Sequence, residues 1–222
     1  MEIKGVTSIK KYHYLIMFDL ASYTTGVCVW DIKKNKPHLT RVLKVKNTAQ
    51  LAIADLEVEI RSFFEELVLL GIHSSEVVVA CEAMPMQAGK FTTIKTLLSL
   101  AQAHAVLNLY CHKNNIDVYD YVGIAPASWR AHYKRVLNLP AKTPVTKEDV
   151  NAYVVKHYEL QYKLTCDESD AVFLCATLMD YKYNEDIKEL IRAEKRHKKS
   201  LKAKHAIQAV DVKIAALEQL KI

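Results

Sequence analysis

Two stretches of this chain are apolar at almost every position, YLIMFDL from Tyr14 to Leu20 and EVVVACE from Glu76 to Glu82. Runs of this length and character suit strands buried on both faces. Each carries an acid, Asp19 inside the first and Glu82 at the end of the second. Between them the pattern changes. After S-Y-T-T-G, the stretch VCVWD reads as a second strand, and a third runs roughly from His38 to Lys46, where Leu39, Arg41, Leu43 and Val45 alternate with Thr40, Val42, Lys44 and Lys46. Successive strands of this kind predict an antiparallel meander. A helix follows from about Thr48 to Leu70. Its residues Leu51, Leu56, Ile60, Phe63, Phe64 and Leu67 share one stripe, and Gly71 stops it.

Beyond Glu82 the spacing predicts a second long helix from about Phe91 to His112, a strand over IDVYDYV (residues 116–122) and a short helix opened by Pro126. Pro140 and Pro144 interrupt the chain, and T-K-E-D from Thr146 to Asp149 starts another helix. The acidic D-E-S-D stretch, Asp167 to Asp170, opens the apolar run AVFLCATLM. Thr165 with Glu168 has the form of a capping box, so a helix starts here and is expected to reach about Tyr183. The order describes an α/β protein in which helices cover a mixed five-stranded sheet, with the first strand central and beside the fourth. From about Glu185, Ile207, Val210, Ile214 and Leu217 form a heptad seam. The expected organisation is a core over 1–184, including a polar extension over 1–12, and a C-terminal helical appendage over 185–222.

Half the residues are hydrophobic, enough for a sizeable core, and the net charge is +6 with a pI near 8.9. Much of the excess sits in RAEKRHKKSLKAKH, residues 192–205, where Glu194 is the only acid. Such a run either grips a polyanion or is a solvated helix face. The cysteines, Cys28, Cys81, Cys111, Cys166 and Cys175, are odd in number and contain no C-x-x-C pair. That argues for buried thiols in a reducing compartment and against a zinc site. No apolar run reaches 18 residues and the first residues lack an apolar signal core, so a cytoplasmic protein with no membrane partner is expected.

The acids carry the chemistry. Asp167 and Asp170 lie one turn apart at a helix start, where acids are ordinary because the helix dipole favours them. Asp19 is different, because a carboxylate within so apolar a strand needs a partner, a metal or a place at the strand's mouth. If the strands bearing Asp19 and Glu82 are parallel neighbours, both acids emerge at one sheet edge. With the Asp167/Asp170 helix start they would form a cluster that repels itself unless cations hold it. Oxygen ligands select Mg2+ or Mn2+, and two such ions roughly 3.5–4 Å apart suit a phosphodiester displacement.

With Asp19 ahead of A-S-Y-T-T-G, the strand-borne Glu82 and the D-x-x-D pair with its trailing alanine, residues 12–182 resemble the RuvC-type Holliday junction resolvases, most of all phage-encoded members. The resemblance implies an RNase H-like fold of the retroviral integrase superfamily. It also implies a magnesium-dependent homodimeric endonuclease of DNA recombination and repair, acting on four-way junctions and other branched DNA without a nucleotide cofactor. In a phage-encoded member that place of work is the host cytoplasm. By the same resemblance Asp19, Glu82, Asp167 and Asp170 are the ligands of two Mg2+ ions, with Mn2+ as a substitute. The family's D-P-G-x-x-x-x-G is matched only at Asp19 and Gly26, and Ala83, Met84, Pro85 and Met86 stand where the family often has a junction-wedging aromatic.

P-A-S-W-R, ending at Arg130, resembles the family's P-S-x-V-K, and Lys147 resembles a second family lysine and is counted with the catalytic residues. A cation near the scissile phosphate would stabilise transition-state charge. Arg130, Lys134, Lys142, Lys147, Lys90 and Lys95 are the expected DNA contacts, with Arg135 beside them; solvated surface charge is the alternative for Arg130 and Lys147. Trp30, Trp129, His104 and His112 read as structural. The competing functions are an RNase H-type nuclease for RNA–DNA hybrids, an actin-like or sugar-kinase-type ATPase fragment built around S-Y-T-T-G, and a non-catalytic junction-binding protein.

Overall fold

The apolar run at Tyr14 becomes the axis of a sheet. The computed structural model describes residues 9–21, 23–45, 52–84, 93–119, 123–200 and 204–220. Strand β1 (Tyr14–Asp19) pairs antiparallel with β2 (Thr24–Asp31), which pairs antiparallel with β3 (Lys36–Lys44). On its other side β1 runs parallel to β4 (Val77–Cys81), and β4 runs parallel to β5 (Asp117–Val118), so the order is β3-β2-β1-β4-β5. Leu15, Ile16, Met17 and Phe18 are all wholly buried, as a strand covered on both faces requires.

Alternation along the strands divides these side chains between two layers. One face presents Ile16, Phe18, Val27, Val29, Val77 and Val79 to Leu56, Ile60, Phe63, Phe64 and Leu67 of α1 (Ala52–Leu69) and to Ala103, Leu107 and Cys111 of α2 (Ile94–Lys113). Phe18 meets Phe63 edge-on at 6.1 Å between ring centroids. On the other face Cys28 neighbours Cys175 of α5 (Cys166–Thr177), and Trp30 meets Tyr158 edge-on at 5.2 Å. Phe173 of α5 ties together α3 (Pro126–Val136) and α4 (Lys147–His157), because Tyr133 lies 5.3 Å and Tyr153 5.7 Å from its ring.

Several elements depart from their sequence-based expectation. Thr24, Thr25 and Gly26 already belong to β2, so S-Y-T-T-G is only partly a turn; buried Thr25 is a β-branched residue that fits a pleated strand. Of the strand expected over 116–122, Asp117–Val118 form β5, the Tyr119 N–H donates to the Val79 carbonyl and a bridge joins Glu82 to Ile124, while residues 120–122 lie outside the described residues. The end of the polar N-terminal extension is packed down: Ile9 and Tyr12 are buried, and the Tyr12 hydroxyl donates to Asp117. The helix from Cys166 does not stop near Tyr183. It passes through a π-helical turn, Leu178–Lys182, into α6 (Tyr183–Ser200).

Contacts divide the chain into Met1–Ala176 and Thr177–Ile222. In the second unit α6 pairs with α7 (Lys204–Gln219). Ile191, Val210, Ile214 and Leu217 are buried, and Glu194–Lys213 and Lys198–Asp211 are ion pairs between the helices. Among the described residues no helix is long and apolar enough to cross a membrane.

Gly26 sets how closely α5 approaches the sheet. A Cβ there would lie 2.0 Å from the carbonyl oxygen of Asp167 and 2.4 Å from its carbonyl carbon. Both are backbone atoms at a helix start and cannot swing aside. Gly26→Ala is therefore expected to destabilise the fold by roughly 3 kcal/mol or more, read as a lower urea midpoint; an unchanged midpoint contradicts this packing.

Candidate active site

The parallel pairing of β1 with β4 decides where the first two acids go. The register matches Phe18 with Cys81, and the Glu82 N–H donates to the Phe18 carbonyl at 3.0 Å. Asp19 and Glu82 therefore leave the same edge of the sheet side by side, with their carboxyl groups within hydrogen-bond reach. Asp19 also pairs across the ladder with Gly26, over which the Asp167 backbone sits. The missing side chain at Gly26 thus lets the start of α5 reach the Asp19 edge.

The start of α5 is held by the capping box read from the sequence. The Thr165 N–H donates to Glu168 Oε2 at 2.9 Å, and the Glu168 N–H donates back to Thr165 Oγ1 at 3.2 Å. Glu168 also accepts from Thr40 Oγ1 at 2.9 Å, anchoring the helix to β3. This leaves Asp167 and Asp170 facing the cluster. Lys147, the first residue of α4, places Nζ 3.1 Å from Asp167 Oδ1 and 3.1 Å from Asp170 Oδ2. The Asn151 amide, one turn further along α4, donates to Ser169 Oγ at 2.6 Å and to the Leu164 carbonyl at 3.1 Å, bracing α4 against α5.

From α3 comes a second clamp. Trp129 Nε1 donates to Glu82 Oε1 at 2.7 Å, and the Arg130 guanidinium lies 5.0 Å from the centroid of the Trp129 ring. The charge of Arg130 acts on both Glu82 and Asp170. Trp129 was read from the sequence as packing only. It does pack, but it also fixes a carboxylate, and the signal available was its position beside Arg130 together with the need of a buried indole N–H for an acceptor. Asn151 had no comparable signal.

The electrostatics follow from crowding acids in a poorly solvated place. Burial first, then the charges of Glu82 and Asp170, push Asp19 up to about 8. Burial also raises Glu82, against the Trp129 hydrogen bond, and raises Asp170, against Lys147. For Lys147 burial works against the charge, but Asp170 and Asp167 outweigh it and hold the ammonium protonated. Asp170 Oδ1 is buried with no hydrogen-bond partner among the described residues. Among those residues no three Asp, Glu, His or Cys side chains are gathered tightly enough to hold an ion as they stand. Lys147 occupies the space between Asp167 and Asp170 instead.

The structure thus brings Asp19, Glu82, Asp167, Asp170, Lys147 and Arg130 together. Lys95, in the first turn of α2, and Lys142, ahead of α4, are exposed and are not among the principal charges acting on the acids. Lys134 donates to the Ala141 carbonyl. Lys90, Pro85 and Met86 lie outside the described residues. His104, read as structural, has Nδ1 3.6 Å from Cys81 Sγ.

A raised carboxyl pKa means that the folded protein holds a proton the unfolded chain has released, so stability falls as pH rises between the two values. For Asp19 that window runs from the ordinary 3.8 to about 8. Asp19→Asn cannot ionise. In chelator at pH 8 it is expected to be more stable than the natural protein by roughly 1–3 kcal/mol, with the advantage shrinking toward pH 4. Thermal melts at both pH values test this, and a less stable variant at pH 8 contradicts it.

No family model matches this sequence, and no curated protein does. The fold has counterparts. Thermus thermophilus RuvC in complex with a Holliday junction substrate superposes with a TM-score of 0.54 at 15% identity, covering 78% of this chain and 96% of that one. A second T. thermophilus RuvC structure gives 0.53 at 15% identity, over 77% and 95% of the two chains. The yeast mitochondrial Holliday junction resolvase gives 0.51 at 15% identity, over 78% and 80%. With its mixed five-stranded sheet between helical layers, the chain has the RuvC-type, RNase H-like fold.

Proposed function

We propose that this protein is a divalent-metal-dependent endonuclease that resolves four-way DNA junctions by phosphodiester hydrolysis. The observation that carries the reading is the convergence of Asp19, Glu82, Asp167 and Asp170 on one sheet edge, with Lys147 and Arg130 as the cations beside them. The fold it shares with RuvC supports the same reading.

The residues fit a hard cation. Every acidic donor is a carboxylate oxygen, Asp170 Oδ1 is buried without a partner, and burial and mutual repulsion raise Asp19, Glu82 and Asp170. A lysine ammonium already sits against two of these side chains. Asp19, Glu82, Asp167 and Asp170 would hold two Mg2+ ions, or Mn2+ in their place. When bound, such ions stabilise the attacking and leaving oxygens of an in-line displacement.

The chain's own residues do the rest. Trp129 holds Glu82 by Oε1 and leaves its other oxygen for the ligand role. Asn151 and the Thr165–Glu168 box hold the start of α5, and so the positions of Asp167 and Asp170. Lys147, on α4, swings from the two aspartates toward the scissile phosphate and meets its developing charge, with Arg130 alongside. Lys134, Lys142, Lys90 and Lys95 are proposed as phosphate contacts away from the chemistry. Residues 1–184 act as the nuclease domain and 185–222 as a helical appendage. A junction offers two symmetric strands and each chain one cluster, so the working form is a homodimer.

Asp19→Asn and Glu82→Gln are expected to abolish cleavage of a four-way junction while leaving its binding within a few-fold, measured side by side on a junction, a fork, a flap and an RNA–DNA hybrid. Undiminished cutting by either variant removes the proposal, and faster cutting of the hybrid redirects it to an RNase H activity. Lys147→Met is expected to lower the single-turnover rate by roughly 10²–10³-fold at near-constant junction affinity. A loss confined to affinity would make Lys147 a binding residue only.

A further inference from the structure

The C-terminal helical pair sorts its charges by face. Residues Thr177–Ile222 contain eleven Lys and Arg against seven Asp and Glu, which is +4 of the chain's net +6. On α6, the side turned to α7 carries Ile191, Glu194 and Lys198, and these are used up there: Ile191 is buried, Glu194 pairs with Lys213, and Lys198 pairs with Asp211. Lys195 reaches Glu218 of α7 at 3.8 Å. Arg192 and Arg196 lie on the other side, exposed, and no ion pair among the described residues engages either. They are one turn apart, about 6 Å along the axis, in one row of the helix face.

We infer that this row is a second DNA-binding surface, one that grips the phosphate backbone of a duplex arm without reading its sequence. The inference rests on the nuclease reading for its biological setting, but its physics is independent of the acidic cluster. Arginine binds the phosphate of a nucleic acid or of a lipid headgroup bidentately, and one feature favours a duplex over an anionic membrane. An interfacial helix needs an apolar face to bury among acyl chains, whereas Ile191 is buried on the side of α6 turned away from Arg192 and Arg196. The buried seam of Ile191, Val210, Ile214 and Leu217 makes the pair a folded platform rather than a charged tail. The RuvC superposition covers 96% of RuvC but 78% of this chain, so this chain has length beyond the shared fold in which such a platform can lie.

The test compares the full-length protein with Arg192→Gln/Arg196→Gln by fluorescence anisotropy, in chelator, on a linear duplex and on a four-way junction across a salt series. The slope of log affinity against log salt is expected to become shallower by about 0.9 per charge removed, with a severalfold loss of affinity. Single-turnover junction cleavage at saturating DNA and metal should be unchanged. Arg192→Lys/Arg196→Lys keeps the charge and should keep the slope, which separates charge from folding. An unchanged slope and affinity in the glutamine variant overturns the inference. So does a loss of binding to phosphatidylserine vesicles with DNA binding intact. Because the duplex slope needs no cutting, the two readings fail separately. A protein that cleaves nothing yet shows the shallower slope loses the nuclease assignment alone, and one that cuts junctions with an unchanged slope loses only this surface.

Discussion

Repulsion among carboxylates gathered at the end of two parallel strands is the constraint around which this molecule is arranged. Asp19 and Glu82 cannot be separated without breaking the β1–β4 register, and Gly26 leaves no room for α5 to retreat without losing its seat. The protein meets that cost with groups from two further helices: the indole of Trp129 and the guanidinium of Arg130 from α3, and the ammonium of Lys147 from α4. Each belongs to an element whose other side packs around Phe173 or is braced to α5, so the aromatic cluster behind the site and the charges within it hold one another in place.

What could be read from the sequence was what depends on neighbours along the chain. The strand of β1 and its misfit acid, the α1 stripe from Leu56 to Leu67 and the capping box at Thr165 all rest on local periodicity or on residues three or four apart, and the fold contains each of them. The central place of β1 beside β4 followed from connection rules applied to those elements.

What stayed hidden depends on distant pairs. The hydrogen bond from Trp129 to Glu82 joins residues 47 positions apart, and that from Thr40 to Glu168 joins residues 128 apart. Neither changes the local pattern at either end. Residues 9–12 were assigned to an extension because they are mostly polar, yet Ile9 and Tyr12 are enough to pin them to the fold. The continuation of α5 into α6 was missed because a π-helical turn keeps the backbone helical while shifting which residues share a face.

The ammonium of Lys147 is tethered to the first turn of α4 and so arrives with the polypeptide itself. The acidic pocket is therefore partly neutralised as soon as α4 docks on α5, before any dissolved ion is met. Lys147 thereby offsets part of the repulsion among the acids that folding brings together. Under the nuclease reading the chain would stay folded but chemically silent until an ion outcompetes the lysine for those oxygens, which separates the moment of assembly from the moment of arming.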